Sequence, residues 1–426
     1  MELFGLADCN NFFCSCERVF HPDLNGKPVV VLSNNDGCII ARSNEAKALG
    51  LKMGQPFYQV KDQLEKQGVA VFSSNYNLYG DMSRRVMSLL SRYTPHLDIY
   101  SIDEAFLDFS GMGNTDQLGE YARDMVRTIA KGTGIPVSVG IAPTKTLAKM
   151  ASKYAKKYPD YHGVAIIDTL EKRHKALELF PIGDVWGIGR NLVKRMEQFG
   201  IHTAADFAAK KPSWVQHEFN ITGLRTWKEL NGQSCIQIET LPQKQSICTS
   251  RSFPDAGLCE LEQVEQAVAN FATACTRKLR EQHSVCGSIT VFAYTSRFRT
   301  DIEQNCIYRN VYFQVPTSNQ QEIVSAACGA LRSEWDTNHR YLYKKAGVIV
   351  WNISDAGSVQ GDLFDTVDRS RMEALMKAVD NINHKNGHDT LRTAVQGYSQ
   401  QWHLKNEHKS RQYTTNLEQI ITLKAL

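Results

Sequence analysis

Tyr100-Ser101-Ile102-Asp103-Glu104-Ala105-Phe106 sets two adjacent carboxylates inside an otherwise apolar segment. Side chains next to each other on a regular strand face opposite ways. Neighbouring acids therefore share a site only at a turn or a strand end. Residues 97–110 read as two strands with little between them, a hairpin that supplies such a place. Residues 2–9 read as another short apolar strand, ending at Asp8. Laid beside the hairpin, it brings Asp8, Asp103 and Glu104 together. Three carboxylates repel one another, and divalent cations resolve the conflict. Mg²⁺ takes oxygen ligands and keeps room for phosphates, and a metal pair stabilises both oxygens of a phosphoryl transfer. The plainer alternative is a solvated hairpin tip for Asp103 and Glu104 and a helix cap for Asp8. On spacing alone that alternative is the stronger, because acid pairs at turns are common.

Outward from the hairpin, helical patterns cover 82–92 and 116–131, followed by strand 135–142, helix 144–157 and strand 163–168. Together they make an α/β layer. Residues 22–80 read as an insertion, with strand Lys27–Leu32 stopped by the turn Asn34-Asn35-Asp36-Gly37. The pattern from 169 to 235 is helical and short-looped, and Leu241–Ser246 reads as a linker. Beyond it come strand 247–253, helix 260–281, strand 287–296, strand 306–315, helix 319–336 and strand 344–353. That β-α-β-β-α-β order is the split ferredoxin-like unit, which hosts many functions. After Ser354 the composition turns to Gly, Ser and Asp, with a helix near 369–383 and a polar tail.

With 426 residues, 42% of them hydrophobic, two to four domains are expected. The net charge of +4 is mild, so the distribution of charge has to decide about anionic partners. Eleven cysteines without a Cys-x-x-Cys pair read as reduced thiols in a cytoplasmic protein. Cys9, Cys14 and Cys16 crowd together, but no His stands near to complete a zinc set. The first residues lack a basic leader, and no apolar run reaches the length of a membrane span. The expectation is a soluble protein without a membrane partner.

Along helix 144–157, Leu147, Met150, Ala151 and Tyr154 share one side while Lys145, Lys149, Lys153 and Lys156 stack on the other. A lysine stripe is usually a solvated face. Beside a phosphoryl-transfer site it becomes a candidate phosphate contact. Val185-Trp186-Gly187-Ile188-Gly189-Arg190 reads as a helix–hairpin–helix turn, where two glycines let backbone approach a phosphate. A plain glycine turn fits equally well without context.

Asp8-Cys9-Asn10-Asn11-Phe12-Phe13-Cys14-Ser15-Cys16-Glu17 and Tyr100-Ser101-Ile102-Asp103-Glu104-Ala105-Phe106-Leu107-Asp108 resemble the signatures of the Y-family (translesion) DNA polymerases, in order and separation. Leu32–Gly54, with Ser33-Asn34-Asn35-Asp36-Gly37 and Glu45-Ala46-Lys47-Ala48-Leu49-Gly50, resembles the UmuC branch. The likeness runs through nearly the whole chain. It implies a right-hand polymerase of α/β and α+β domains: a ferredoxin-like palm (1–21 and 81–167), small fingers (22–80), a helical thumb with the helix–hairpin–helix (168–240), a β-α-β-β-α-β little finger (247–353) and a C-terminal tail (354–426).

The same resemblance implies that Asp8, Asp103 and Glu104 hold two Mg²⁺ ions, with the backbone carbonyl of Cys9 as a further ligand. The primer 3′-hydroxyl would attack the nucleotide's α-phosphate and expel pyrophosphate. Phe13 matches the aromatic under the incoming sugar, with Phe12 beside it, and Lys156 falls on the triphosphate. Asn44 and Lys47 stand where the family has a Tyr and an Arg; Lys47 offers a point charge but not Arg's bidentate fork. Asn10 replaces the motif's second acid and is not expected to hold metal. Gly187, Gly189 and Arg190 would grip DNA. Gln360-Gly361-Asp362-Leu363-Phe364 resembles the peptide that binds the sliding clamp. It lies in a polar segment where Leu363 and Phe364 would otherwise be left exposed.

Implied partners are primer–template DNA, deoxynucleoside triphosphates, the sliding clamp, a processed UmuD-type dimer and a RecA filament, in an SOS-type damage response. Two alternatives stand beside this reading. One is the sister DinB-type polymerase. That branch tends to end near its clamp peptide, whereas this chain continues through Ser410-Arg411-Gln412-Tyr413-Thr414-Thr415. The other is a non-catalytic DNA-binding accessory protein, which retention of all three acids opposes.

Overall fold

The computed structural model describes residues 2–112, 115–236, 243–254, 256–387, 389–398, 402 and 404–422. The chain divides into two units, residues 1–239 with 406–426 and residues 240–405. It leaves the first unit, builds the second, and returns.

In the first unit β1 (Phe4–Cys9) passes into α1 (Phe12–Phe20) through Asn11, which takes a φ of 47°, a left-handed conformation that asparagine tolerates. A small layer follows: β2 (Val29–Leu32), β3 (Ile39–Arg42), α2 (Asn44–Ala48), α3 (Phe57–Lys66) and β4 (Ala70–Ser73), its sheet ordered β3-β2-β4. Then come α4 (Tyr76–Leu90), β5 (Leu97–Ile99), β6 (Glu104–Asp108), α5 (Thr115–Thr133), β7 (Val137–Ala142), α6 (Lys145–Lys157) and β8 (Val164–Ile166). These strands form a five-stranded sheet ordered β5-β6-β1-β7-β8. Helices α7 (Leu170–Leu179), α8 (Arg190–Gln198), α9 (Ala204–Ala208) and α10 (Pro212–Leu230) complete the unit's first stretch.

The alternation of strand side chains splits the core into two layers. Ala7, Cys9, Ala105 and Leu107 pack with Phe12, Met82, Val86 and Met125 from α1, α4 and α5. Leu6 and Phe106 point the other way, into a core shared with Leu147 and Met150 of α6 and with residues of α7 to α10. Helix α6 lies so close on β7 that a Cβ at Gly140 would collide with the backbone of Ala148 to Ser152. Buried Glu229 fastens the start of α6, accepting from the N–H of Thr146 at 3.0 Å.

In the second unit β9 (Ile247–Ser252), α11 (Leu261–Glu281), β10 (Ser284–Thr295), β11 (Cys306–Thr317), α12 (Gln320–Ser333) and β12 (Tyr343–Asp355) follow the expected β-α-β-β-α-β order. All sheet pairings are antiparallel, in the order β11-β10-β12-β9. Each helix therefore joins two parallel strands with a third between them, the split arrangement, and the gap between β9 and β10 is filled by the last strand. A further helix, α13 (Arg369–Asn386), is tied to α11 by the Arg280–Asp380 pair, two bonds of 2.7 Å.

Two expectations need correction. The division at residue 80 falls inside α4, which starts at Tyr76 because the Asn75 side chain accepts from the N–H of Leu78 and caps it. The tail of 354–426 is two segments, since 354–405 belongs to the second unit and 406–426 to the first. Residues 237–240 of the expected thumb and 241–242 of the linker lie outside the described residues. Among the described residues no helix is long and apolar enough to cross a membrane, and the cysteines are free thiols.

Candidate active site

Asp8 and Glu104 are direct partners in the β1–β6 register. They share the parity of Leu6 and Phe106, so both side chains emerge on the face covered by α6. Asp103 closes the hairpin connection, and its carbonyl accepts from the N–H of Cys9 at 2.9 Å. Ser101 shapes that connection. Its hydroxyl donates to Asp103 Oδ1 at 2.6 Å and accepts from the N–H groups of Asp103 and Glu104 at 3.2 and 3.0 Å.

Two lysines of α6 meet the acids. Lys149 reaches Glu104 at 2.8 Å and Lys156 reaches Asp8 at 2.7 Å. The stripe expected as one solvated, phosphate-facing surface is therefore divided. Lys153 pairs with Asp184 at 2.8 Å. Lys145 is buried, its ammonium 5.3 Å from the Phe106 ring, because a helix seated on a sheet buries long aliphatic stems along its inner edge. Burial raises the Asp8 carboxyl above its ordinary range; Lys156 opposes the rise and Asp103 adds to it. Burial raises Glu104 as well, against the pull of Lys149 and with the push of Asp8 and Asp103. The acids thus sense one another, and each outer acid is held by a cation. With 22% and 17% of their side chains exposed, Asp8 and Glu104 remain within reach of solvent ions.

The donor set suits a hard divalent cation, being three carboxylates and the carbonyl oxygen of Cys9. Burial pushes the Cys9 thiol far up, so it does not compete as a thiolate. As the side chains stand, with lysines on two acids, no three metal-ligating side chains among the described residues close on one point.

Phe12 and Phe13 lie on the first turn of α1. Their division is clear. Phe12 is packed in the core rather than open to a nucleotide. Phe13 is half-buried, stacked on Tyr79 at 4.5 Å and edge-on to Tyr76 at 6.0 Å. Across from it Lys47 donates to Asn11 at 2.5 Å and Asn11 donates to Asn44 at 3.1 Å. Burial lowers the Lys47 ammonium, and the charge of nearby Lys156 lowers it further. Asn10 accepts from Ser138 at 3.0 Å.

Comparison with known proteins gives this corner its context. The impB/mucB/samB family matches residues 7–153, its C-terminal domain matches 244–363, and a domain of unknown function matches 373–423. Protein UmuC of Salmonella typhimurium (strain LT2) is 41% identical over 425 residues, covering 99% of this chain and 100% of the relative. The chain belongs to the UmuC-type branch of the Y-family DNA polymerases. DNA polymerase IV 1 of Halalkalibacterium halodurans, at 26% over 390 residues, covers 89% of this chain and 90% of the relative, so the sister branch is the more distant. A solved Y-family chimera of Dbh and Dpo4 shares the fold, with a TM-score of 0.65 at 22% identity over 83% of this chain and 99% of that one. A dependence on divalent metal ions comes with the family.

In this polymerase the turn Val185–Arg190 is joined to the acid-bearing hairpin. Trp186 donates to the Tyr100 hydroxyl at 3.2 Å and lies 5.8 Å from the Phe106 ring. Lys149 sits 4.7 Å from the Tyr100 ring and 5.6 Å from that of Trp186, so aromatic faces steady the cation that holds Glu104. Reading the sequence missed this collar, and the cue was the aromatic residue beside each motif. Gly187 takes a φ of 85°, and Gly189 caps α8 with open space where a Cβ would be. Arg190 opens that helix, exposed. What precedes the turn is a single 3₁₀ turn at Ile182–Asp184 rather than a full helix. In the second unit Gln360, Asp362, Leu363 and Phe364 are exposed, the two apolar residues by 99% and 85%. Asp362 accepts from the N–H of Phe364 at 2.9 Å.

Proposed function

We propose that the chain extends a primer on a DNA template, including past damaged bases, with Asp8, Asp103, Glu104 and the Cys9 carbonyl as the ligands of two Mg²⁺ ions. The observation that carries this is the register pairing of Asp8 with Glu104 beside Asp103, on a face where two lysines answer the charge. When bound there, the ions would supply charge stabilisation to the attacking and leaving oxygens. The reaction joins the primer 3′-oxygen to the α-phosphorus and breaks the bond to pyrophosphate.

The chain's own residues orient these groups. Ser101 fixes the Asp103 carboxylate. Lys149, steadied by Tyr100 and Trp186, balances Glu104. Lys156, with Asn44 and Lys47 nearby, offers positive charge for the triphosphate. Phe13 supports the sugar from its platform on Tyr79. Gly187, Gly189 and Arg190 offer backbone N–H groups and a cation to a DNA phosphate. With the boundary moved to the start of α4, we take residues 1–21 and 76–167 as palm, 22–75 as fingers, 168–240 as thumb and 247–353 as little finger. Leu363 and Phe364 are the anchors of a clamp peptide, and a UmuD-type dimer and a RecA filament complete an SOS-type cytoplasmic assembly.

The test is primer extension across an abasic template site, with and without a UmuD-type partner. Extension should need Mg²⁺ and stop on chelation. Extension in chelator would sink the metal reading, and a stall opposite the abasic site with the partner present would sink the bypass reading.

A further inference from the structure

After the second unit the chain returns as a strap along the first. His408 accepts from the N–H of Ser73 at 3.0 Å and donates its own N–H to the Ser73 hydroxyl at 3.0 Å, extending the edge of β4. The buried Asn75 amide donates to the Ser410 carbonyl and hydroxyl, both at 3.1 Å, and to the Arg411 carbonyl at 3.2 Å. The N–H of Glu407 donates to buried Asp36 at 2.9 Å. Tyr413 stacks on Phe20 at 4.6 Å, and its hydroxyl meets His21 at 2.9 Å.

One contact in this set reaches inward. Glu17 is fully buried, and its Oε1 accepts from the Ser410 hydroxyl at 3.0 Å and from the Tyr79 hydroxyl at 2.6 Å. Its Oε2 has no hydrogen-bond partner. A sealed carboxyl with two neutral donors and an unpartnered oxygen is costly to keep. Apolar groups of the same shape in place of such a buried polar set are often neutral or stabilising, so stability alone does not account for it. The chain of contact continues, because Tyr79 is the ring on which Phe13 stacks. Glu17 and Phe13 lie on α1, while Asn75 and Tyr79 belong to the start of α4. Ser410 therefore bonds to both elements that carry the aromatic platform.

We propose that Ser410 is a positioning residue for sugar selection: through Glu17 and Tyr79, the returning strap sets where Phe13 stands against the incoming nucleotide. This gives a task to part of the domain of unknown function, and it rests on Phe13 lying under the sugar. A buried side-chain hydrogen bond is worth roughly fivefold in an equilibrium, so the change to look for is modest and specific.

The experiment uses the full chain and single-nucleotide insertion with matched deoxyribo- and ribonucleotides. Ser410→Ala should raise KM for the deoxyribonucleotide and narrow the sugar preference, each roughly fivefold, with kcat within about twofold of the parent. Ser410→Thr, which keeps the hydroxyl, should restore the parent values. Phe13→Ala run in parallel separates the two ideas. If Phe13→Ala alters sugar preference and Ser410→Ala does not, the strap proposal fails alone. If Phe13→Ala leaves the preference unchanged, the sugar reading fails and takes this proposal with it. In the double variant the Ser410→Ala effect should vanish; an undiminished effect there would overturn the coupling. A Ser410→Ala variant that only melts earlier, with unaltered KM and preference, has lost a structural bond and overturns the proposal too.

Discussion

The first unit holds acids in two contrasting ways. At the sheet end Asp8 and Glu104 are partly exposed, each facing a lysine. About one helix further along the chain, Glu17 is sealed from water and faces only hydroxyls. A lysine can be exchanged for another cation, whereas two neutral donors in a closed site define a shape and little else. The contrast teaches that burial alone does not mark a reactive carboxylate; access and the kind of partner decide. All three carboxyls are raised by burial, yet only the open pair can trade its counter-charge.

The largest effect expected from this contrast falls at the open site. Asp103→Ala or Glu104→Ala should lower primer extension by about a thousandfold or more, since metal-held charge stabilisation is worth several kcal/mol. DNA binding should survive, because affinity comes chiefly from phosphate contacts elsewhere. Extension and a gel-shift titration on the same preparations check both halves. Near-normal extension by either variant in Mg²⁺ breaks the comparison at its root.

The neighbouring phenylalanines repeat the contrast with apolar side chains. Phe13→Ala should cut the preference for deoxyribonucleotides roughly ten- to a hundredfold, because the ring rather than lost binding excludes the 2′-oxygen. Phe12→Ala opens a core cavity instead and should cost about 3–5 kcal/mol of stability with the sugar preference intact. Matched insertion assays and melting curves distinguish them. A Phe12 variant that changed sugar choice at normal stability would erase the distinction.

Leu363 and Phe364 are the exposed extreme. Each, if buried by a partner, is worth roughly 1.5–3 kcal/mol, so replacing both with Ala should abolish stimulation by the clamp. Basal synthesis should stay as it was. Since tethering raises the local concentration of primer ends, the loss should appear as fewer nucleotides added per encounter. A double variant that still responds to the clamp means the peptide match is accidental.

How much of this was legible in the sequence differs by region for physical reasons. The second unit was readable almost strand by strand, because alternation over long strands such as β10 and β12 repeats the same message many times. Asp8, Asp103 and Glu104 were legible as a set through their motifs, but their lysine partners were not: helical periodicity grouped Lys145 with Lys149 and Lys156, and only packing on Phe106 removes it from the surface. The helix that carries Phe12 and Phe13 was not legible: after β1 the left-handed Asn11 starts α1, and both rings fall on its first turn. The strap was invisible. Glu17 and Ser410 lie 393 residues apart, and no local pattern encodes such a contact.

The smallest expected effect lies at the sealed acid and concerns pH. Burial pushes the Glu17 carboxyl from its ordinary 4.5 up to about 7, against the hydrogen bonds from Tyr79 and Ser410. The folded state therefore holds this proton more tightly than the unfolded chain does. Below about pH 4.5 both states carry it and the group is neutral to stability. As pH rises towards 7 the unfolded chain releases the proton first, so stability falls, and it levels off once the folded state has released it too. Between about pH 5 and pH 8 this group should cost about 2 kcal/mol. Glu17→Gln keeps an acceptor for both hydroxyls but cannot ionise. Its amide N–H₂ adds a penalty for an unpaired donor, and that penalty does not change with pH. The difference in melting temperature between parent and Glu17→Gln should therefore shift steadily in the variant's favour as pH rises, whatever its starting value. Other titrating groups are common to both proteins and cancel in the difference. A difference that stays constant from about pH 5 to pH 8 would mean that Glu17 is ionised throughout, and the contrast between the two acid sites would then be one of exposure alone.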